Sequence, residues 1–220
     1  MIKAIVFDLD GTLADTLPEI REGVNMTMRK MGYPEHDLAA IRSFINFGAR
    51  HLIRCALPAH LRQDEEKVDE ALALFDRCYG EVYLHTQKTY DGMKELVSRL
   101  HRDYKVGVLS NKQDPYVKQL AEQLLGTGNY DAAQGVIFGL PTKPNPYLSE
   151  KVAEAMGVDT RECIMVGDSD IDIRTAQNAN MTHVGVAWGF RDEAFLREHQ
   201  ATHIAHTAEE LEALIRSLCK

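Results

Sequence analysis

The sequence predicts an α/β fold: a Rossmann-like parallel sheet core with helices on both faces, plus an inserted α-helical domain. Three observations predict it. Short apolar, β-branched runs alternate with helical patterns over most of the 220 residues, the runs stop at Asp, Ser or Gly, and one long stretch after the first helix shows helical periodicity alone. Continuous apolar runs suit strands buried on both faces, as in parallel sheets. Strand–helix alternation implies right-handed crossovers.

The first run is Ile2 to Leu9, and Asp8-Leu9-Asp10-Gly11-Thr12 marks the turn at its carboxyl end. A helix is expected from about Thr16 to Met31, because Ile20, Val24, Met28 and Met31 recur at three or four residues. Pro18 near its start and Gly32 just past its end are the matching punctuation. From Gly32 to His85 the pattern stays helical, through Ile41, Phe44, Ile45, Leu52 and Ile53 and then Val68, Leu72, Phe75 and Tyr79, broken at Pro34 and Pro58. Residues 15–87 are therefore expected to form a helical insert, and residues 1–14 and 88–220 the core. In the core, Tyr104–Leu109 reads as a strand ending at Ser110-Asn111, followed by a helix over Pro115–Leu125. Gly135–Phe138 is a weaker strand before a Pro-rich turn, and Tyr147–Met156 a helix ended by Gly157. Cys163–Val166 is a strand ending at Gly167-Asp168. A helix over Ile171–Ala179, a strand over His183–Ala187 and a helix over Ala208–Cys219 complete the reading.

Composition narrows the function. Hydrophobic residues at 45% and charged residues at 26% are ordinary for a soluble globular chain, and the length suffices for a real core. A net charge of −8 argues against general nucleic-acid binding. It leaves an anionic small molecule open, since a metal and a few local cations reverse the sign of one cleft. Cys55, Cys78, Cys163 and Cys219 form no CxxC pair and match no zinc spacing, so they read as reduced thiols. The N-terminal run lacks signal-peptide organisation, and no apolar stretch approaches the ~20 residues of a membrane span. The expectation is a cytoplasmic monomer or homodimer with neither nucleic acid nor membrane as partner.

The informative fact is position. Asp8, Asp10, Ser110, Lys143, Asp168 and Asp172 all fall at or just beyond the ends of expected strands. In an open parallel sheet those ends share one edge, and ligands bind in the crevice there. Several carboxylates would thus converge with one lysine and one hydroxyl. Carboxylates crowded in a poorly hydrated cleft repel and need a cation. Oxygen-only donors favour Mg²⁺ over zinc, which prefers nitrogen and sulfur. Asp8 and Asp168 are the leading metal-binding side chains, with Asp10 offering its backbone carbonyl. Singly, each residue has a plainer role: a strand-end Asp caps a helix, a lone Lys is a solvated charge, and Ser-Asn is a common turn. The ordered set is what favours function.

In this setting, Asp8-Leu9-Asp10-Gly11-Thr12 resembles the first motif of the haloacid dehalogenase-like superfamily. Ser110, Lys143 in Thr142-Lys143-Pro144, and Gly167-Asp168-Ser169-Asp170-Ile171-Asp172 resemble the other three, in order and over nearly the whole chain. The helical insert is similar to that family's first-type cap, and Asp15-Thr16-Leu17-Pro18-Glu19-Ile20 with Val166 to Gly189 resembles phosphoglycolate phosphatase-like members. The resemblance implies a Mg²⁺-dependent phosphatase acting on a small phosphorylated metabolite, with 2-phosphoglycolate first. Asp8 would be the nucleophile, forming an aspartyl-phosphate, and Asp10 the acid and base. Lys143 and Ser110 would hold the phosphate, with Thr12, Asn111 and nearby backbone N–H groups as further donors. Asp172 would support the metal shell from behind.

Position 10 discriminates within the superfamily. Halide leaves without a proton, whereas an alkoxide needs an acid, and the chain keeps Asp10. Phosphosugar mutases resemble the core too, but typically carry a histidine and a valine where this chain has Ile20 and Thr12. Pyrophosphatase, nucleotidase and non-catalytic scaffold remain alternatives. The Phe47-Gly48-Ala49-Arg50 break matches a loop that faces substrate in similar members, which assigns Gly48 and Arg50 to substrate; a surface arginine is the plainer reading of Arg50. Two passages, Thr16–Glu19 and His85–Thr89, would hinge the cap. Asn145 stands where relatives often carry an aspartate. Trp188-Gly189-Phe190 follows a strand end and lines either the cleft mouth or the core. His36, His60, His101, His199 and His206 read as solvated.

Overall fold

The computed structural model describes residues 1–45, 47–86 and 88–219. By internal contacts it divides into two compact units, Met1–Asp15 with Lys88–Lys220, and Thr16–Gln87.

The first unit is built on a six-stranded sheet. Its strands are β1 (Ala4–Phe7), β2 (Lys105–Gln113), β3 (Ala132–Val136), β4 (Cys163–Gly167), β5 (Thr182–Val186) and β6 (Ile204–Ala205). They lie in the order β3-β2-β1-β4-β5-β6, and every neighbouring pair is parallel. All four residues of β1 are buried, as a central strand covered on both faces demands.

The second unit holds α1 (Leu17–Met31), α2 (Leu38–Phe44), α3 (Gly48–Ala56) and α4 (Glu65–Val82), with single 3₁₀ turns at Ala59–Leu61 and Tyr83–His85. No described residue of this unit is in a strand. Helix α1 starts with Pro18 in its first turn and ends at Gly32, whose left-handed φ of 74° suits glycine. Its Gly23 lies against Tyr79 and Phe75 of α4, where a Cβ would approach Tyr79 to 3.0 Å. Asn25 ties the unit together by donating to the His36 carbonyl and accepting from the His36 N–H, both at 2.9 Å.

The core helices are α5 (Met93–Leu100), α6 (Asp114–Leu125), α7 (Tyr147–Met156), α8 (Asp170–Asn178), α9 (Glu193–Glu198) and α10 (Ala208–Leu218). Leu148, Val152 and Met156 of α7 pack with Val6, Leu109 and Met165 of the sheet in one buried cluster. Leu196 of α9 and Ile173 of α8 form a second. The sequence reading lacked α5, α9 and β6; the last two are short, which leaves little periodicity to detect.

Two strands differ from expectation. Strand β2 runs on through Ser110 and Asn111 to Gln113 instead of ending there. Leu109 pairs with Gln134 and Gln113 with Val136, so β2 advances four residues while β3 advances two. The surplus forms a bulge, which turns side chains to new directions at the sheet edge. Strand β3 sits at Ala132–Val136, because Ile137 and Phe138 lie past the pairing and are exposed. Gly135 permits the bulge. A Cβ there would stand 2.6 Å from the Lys112 carbonyl oxygen and 2.6 Å from Asp114 Cα. Gly135→Ala is therefore expected to lower unfolding free energy by about 1–3 kcal/mol, read as a lower urea midpoint at unchanged slope; an unshifted midpoint would contradict the packing.

Candidate active site

The strand order reverses between β1 and β4. Strands β1 to β3 run out on one side and β4 to β6 on the other, which makes the β1/β4 carboxyl edge the switch point where ligands bind in open sheets. Phe7 pairs with Val166 and with Val108, and the Asp8 N–H donates to the Val166 carbonyl at 2.8 Å. That register delivers Asp8 and Asp168 to adjacent strand ends.

Lys143 reaches the same edge from the loop between β3 and α7. Its ammonium lies 2.8 Å from Asp8 Oδ1, 2.7 Å from Asp172 Oδ1 and 3.4 Å from the Leu109 carbonyl. The chain holds it there through its backbone. Asn111 Nδ2 donates to the Lys143 carbonyl at 3.0 Å, and the Lys143 N–H donates to Asn111 Oδ1 at 2.8 Å. Asn178 of α8 donates to the Pro144 carbonyl at 2.8 Å. Asn145 accepts from the Tyr147 N–H at 3.0 Å, so the amide serves the turn into α7.

Asp172 sits in the first turn of α8. Its Oδ2 accepts from the Ser169 N–H at 3.1 Å and the Ser169 hydroxyl at 2.6 Å, and its own N–H donates to Ser169 Oγ at 3.4 Å, which completes a capping box. Asp168 Oδ2 accepts from the Phe190 N–H at 2.6 Å, and the Thr12 hydroxyl lies 3.4 Å from Oδ1. Trp188 Nε1 donates to the Thr12 carbonyl at 3.1 Å. The close approach needs two glycines. A Cβ on Gly11, whose φ is +83°, would collide with the Asp168 carboxylate, and one on Gly189 would collide with Asp168 and the Gly11 carbonyl.

The electrostatics follow. Burial pushes Asp8 well above the usual carboxylate range, joined by repulsion from Asp172, Asp168 and Asp10, while Lys143 pulls it down. Burial also raises Asp168 to about 7, with Asp172 adding to the rise. Burial disfavours the Lys143 ammonium, but Asp172 and Asp8 outweigh it and hold the lysine above its ordinary value. One lysine does not neutralise the cluster. One carboxylate oxygen from each of Asp8, Asp168 and Asp172 lies within 4.8 Å of the others. An all-oxygen, buried, electron-rich set of this kind fits a hard divalent cation.

Asp10 points elsewhere. Its Oδ2 accepts from the Ser110 hydroxyl at 3.0 Å, and its Oδ1 lies 2.8 Å from Lys112 Nζ. Its side chain thus stands outside the three-carboxylate group. Thr12, expected to meet substrate, is buried with its hydroxyl on Asp168. Asn111 has its amide on the Lys143 backbone. Gly48 opens α3 in the helical unit. Arg50, expected to grip substrate, forks onto α4 instead, with Nη2 at 2.5 Å from Glu65 and Nη1 on Asp69; Glu65 lies in the acidic first turn of α4 and Asp69 one turn further on. The sequence reading missed Lys112 and the Phe190 N–H. Lys112 carried a usable signal, since it follows Ser110 by two residues at the end of a strand. Of the histidines read as solvated, His36 bonds the Ala56 carbonyl at 2.7 Å and His101 bonds Asp131 at 3.0 Å.

A family described as haloacid dehalogenase-like hydrolase matches residues 2–180. The chain belongs to the haloacid dehalogenase-like hydrolases. This hydrolase is 37% identical over 202 residues to the phosphoglycolate phosphatase of Rhodobacter capsulatus, covering 87% of each chain. It is 31% identical over 194 residues to that of Aliivibrio fischeri, covering 86% of each. A solved structure from Lactobacillus delbrueckii subsp. bulgaricus superposes with a TM-score of 0.86 at 30% identity, over 97% of this chain and 98% of that one. The chain is a hydrolase of the phosphatase kind. No described helix is long and apolar enough to cross a membrane.

The raised carboxylates set a pH dependence. In the metal-free protein Asp168 holds its proton to about pH 7, whereas the unfolded chain releases it near the ordinary value of 3.8. Its contribution to stability is full below 3.8 and is lost as pH rises toward 7. A divalent cation held by the three carboxylates would act against that loss, so stabilisation by added Mg²⁺ should be larger at pH 8 than at pH 5. Thermal unfolding with and without the ion checks this, and equal shifts at both values would contradict the assignment.

Proposed function

We propose that this hydrolase is a Mg²⁺-dependent phosphomonoesterase that transfers phosphoryl from 2-phosphoglycolate to Asp8 and then to water. The observation that carries the reading is the buried contact between Lys143 and Asp8 at the switch point, with Asp10 held two residues further along. Asp8 and Asp168 would bind the ion by side chain and Asp10 by its backbone carbonyl, with Asp172 orienting Lys143 behind them. When bound, the ion supplies positive charge that offsets the approach of one anion to another.

The residues of the chain perform the rest. An Asp8 oxygen forms a bond to phosphorus as the bond from phosphorus to the substrate's bridging oxygen breaks, which divides hydrolysis into two easier displacements. Asp10 gives its proton to the departing alkoxide. Water then attacks the phosphorus of the acyl phosphate, Asp10 takes the water's proton, and inorganic phosphate leaves with Asp8 restored. Lys143 orients Asp8 and offers charge to the phosphoryl oxygens. Backbone N–H groups in the Asp8–Thr12 turn and at Asn111 add donors whose positions are already fixed.

Two observations support the substrate. Relatives 31% and 37% identical over more than four-fifths of their length are phosphoglycolate phosphatases. Asp10 is retained, and an alkoxide leaving group requires that acid. The helical unit, residues 16–87, is the proposed selector of substrate.

Phosphate release from 2-phosphoglycolate, measured with Mg²⁺ and with EDTA, tests the reading. Turnover should require the ion, and Asp8→Asn should reduce it by several orders of magnitude, because a carboxamide is a poor nucleophile. Equal rates with and without metal, or full turnover in Asp8→Asn, would contradict it.

A further inference from the structure

We propose that Lys112 is the positioning residue for Asp10, fixing the carboxylate that serves the leaving oxygen. The inference rests on the acid–base reading of Asp10 given above. The bulge in β2 brings two side chains to Asp10. Ser110 and Lys112 lie two residues apart on this strand, and each holds a different oxygen of the same carboxylate: Ser110 Oγ on Oδ2 at 3.0 Å, Lys112 Nζ on Oδ1 at 2.8 Å. Lys112 acts a second time through its backbone. Its N–H donates to Ser110 Oγ at 3.1 Å. A hydroxyl has a single proton to give, so with that N–H arriving from behind, the proton is directed to Asp10.

The lysine side chain is 7% exposed. Lysine is rarely buried to this degree without a partner, because its ammonium loses water that something must replace. The Asp10 carboxylate is that replacement. The two lysines at this edge divide the work: Lys143 spans Asp8 and Asp172, while Lys112 serves Asp10. The backbone that carries Lys112 is held in turn by the close passage of Gly135, where a side chain would meet the Lys112 carbonyl. A short carboxylate gripped at both oxygens keeps one orientation toward the substrate's bridging oxygen. A shift of about 1 Å in such a group costs on the order of 10²-fold in rate.

The test uses leaving groups of unequal need. An alkoxide requires a proton as it departs, whereas p-nitrophenolate departs without one. In the whole 220-residue chain with Mg²⁺, kcat/KM is compared for 2-phosphoglycolate, an alkyl phosphate without a carboxylate and p-nitrophenyl phosphate. Lys112→Met should lose about 10- to 100-fold on both alkyl substrates and less than about threefold on the aryl one. Lys112→Arg should recover part of the alkyl activity. A retained aryl kcat/KM, which ends at release of the phenolate and so excludes the later water step that Asp10 also serves, shows in the same experiment that the variant is folded. Asp10→Asn separates the two ideas. If it shows the leaving-group bias and Lys112→Met loses all three substrates equally, the positioning role is overturned and the reading of Asp10 survives. If Asp10→Asn shows no bias, that reading falls and the proposal with it. A Lys112→Met loss confined to the carboxylate-bearing 2-phosphoglycolate would make Lys112 a reader of substrate and overturn its role toward Asp10.

Discussion

Everything at the carboxyl edge of the sheet depends on one buried ammonium. Lys143 lies within 2.8 Å of Asp8 and 2.7 Å of Asp172, and all three are removed from water. Separately, each would be costly to bury in its charged form. Together they satisfy one another while leaving the site rich in negative charge, since Asp168 adds a further carboxylate. That surplus is what a divalent ion and a phosphate ester can use. In the proposed reaction Asp8 must be ionised to attack, yet burial and its acidic neighbours press it toward protonation. The opposing pull of positive charge makes the position chemically useful.

The remaining architecture delivers the groups to this point. The reversal of strand order puts β1 beside β4, and the register of Phe7 against Val166 brings their ends level. Helix α8 begins immediately after β4, so Ser169 caps it and turns Asp172 inward. Glycines at 11, 167 and 189 leave room where carboxylate and backbone crowd; a Cβ on Gly167 would collide with the Asp172 side chain. Sites of this kind tolerate dense polar packing because nearly every group has a partner. The bulge in β2 adds a second line of control, bringing Ser110 and Lys112 to Asp10 rather than to Asp8.

The fold class was legible because its signals are local. The apolar run Ala4–Phe7, the Gly32 and Gly157 helix ends and the all-helical stretch after residue 16 each follow from the period of burial or from backbone freedom. The convergence of Asp8, Lys143, Asp168 and Asp172 was legible for a different reason: strand ends in a parallel sheet share an edge. What the sequence did not disclose depends on partners far along the chain. Nothing near Arg50 signals that Glu65 and Asp69 would take its guanidinium. Thr12 belongs to a motif, but its hydroxyl is turned to Asp168, 156 residues away. The Phe190 N–H is a backbone donor and leaves no trace in residue type. The run-on of β2 past Ser110 arises from a two-residue mismatch with β3, which single-strand patterning does not register.

If Lys143 and Asp172 act as one electrostatic unit beneath Asp8, a double-mutant cycle for stability will register their coupling. Lys143→Met, Asp172→Asn and the double variant are unfolded in urea without metal. Strong non-additivity is expected, a coupling of about 1–3 kcal/mol, with the double variant less damaged than the sum of the singles. Additivity within about 0.5 kcal/mol would show that the two groups are independent and that Lys143 does not depend on Asp172.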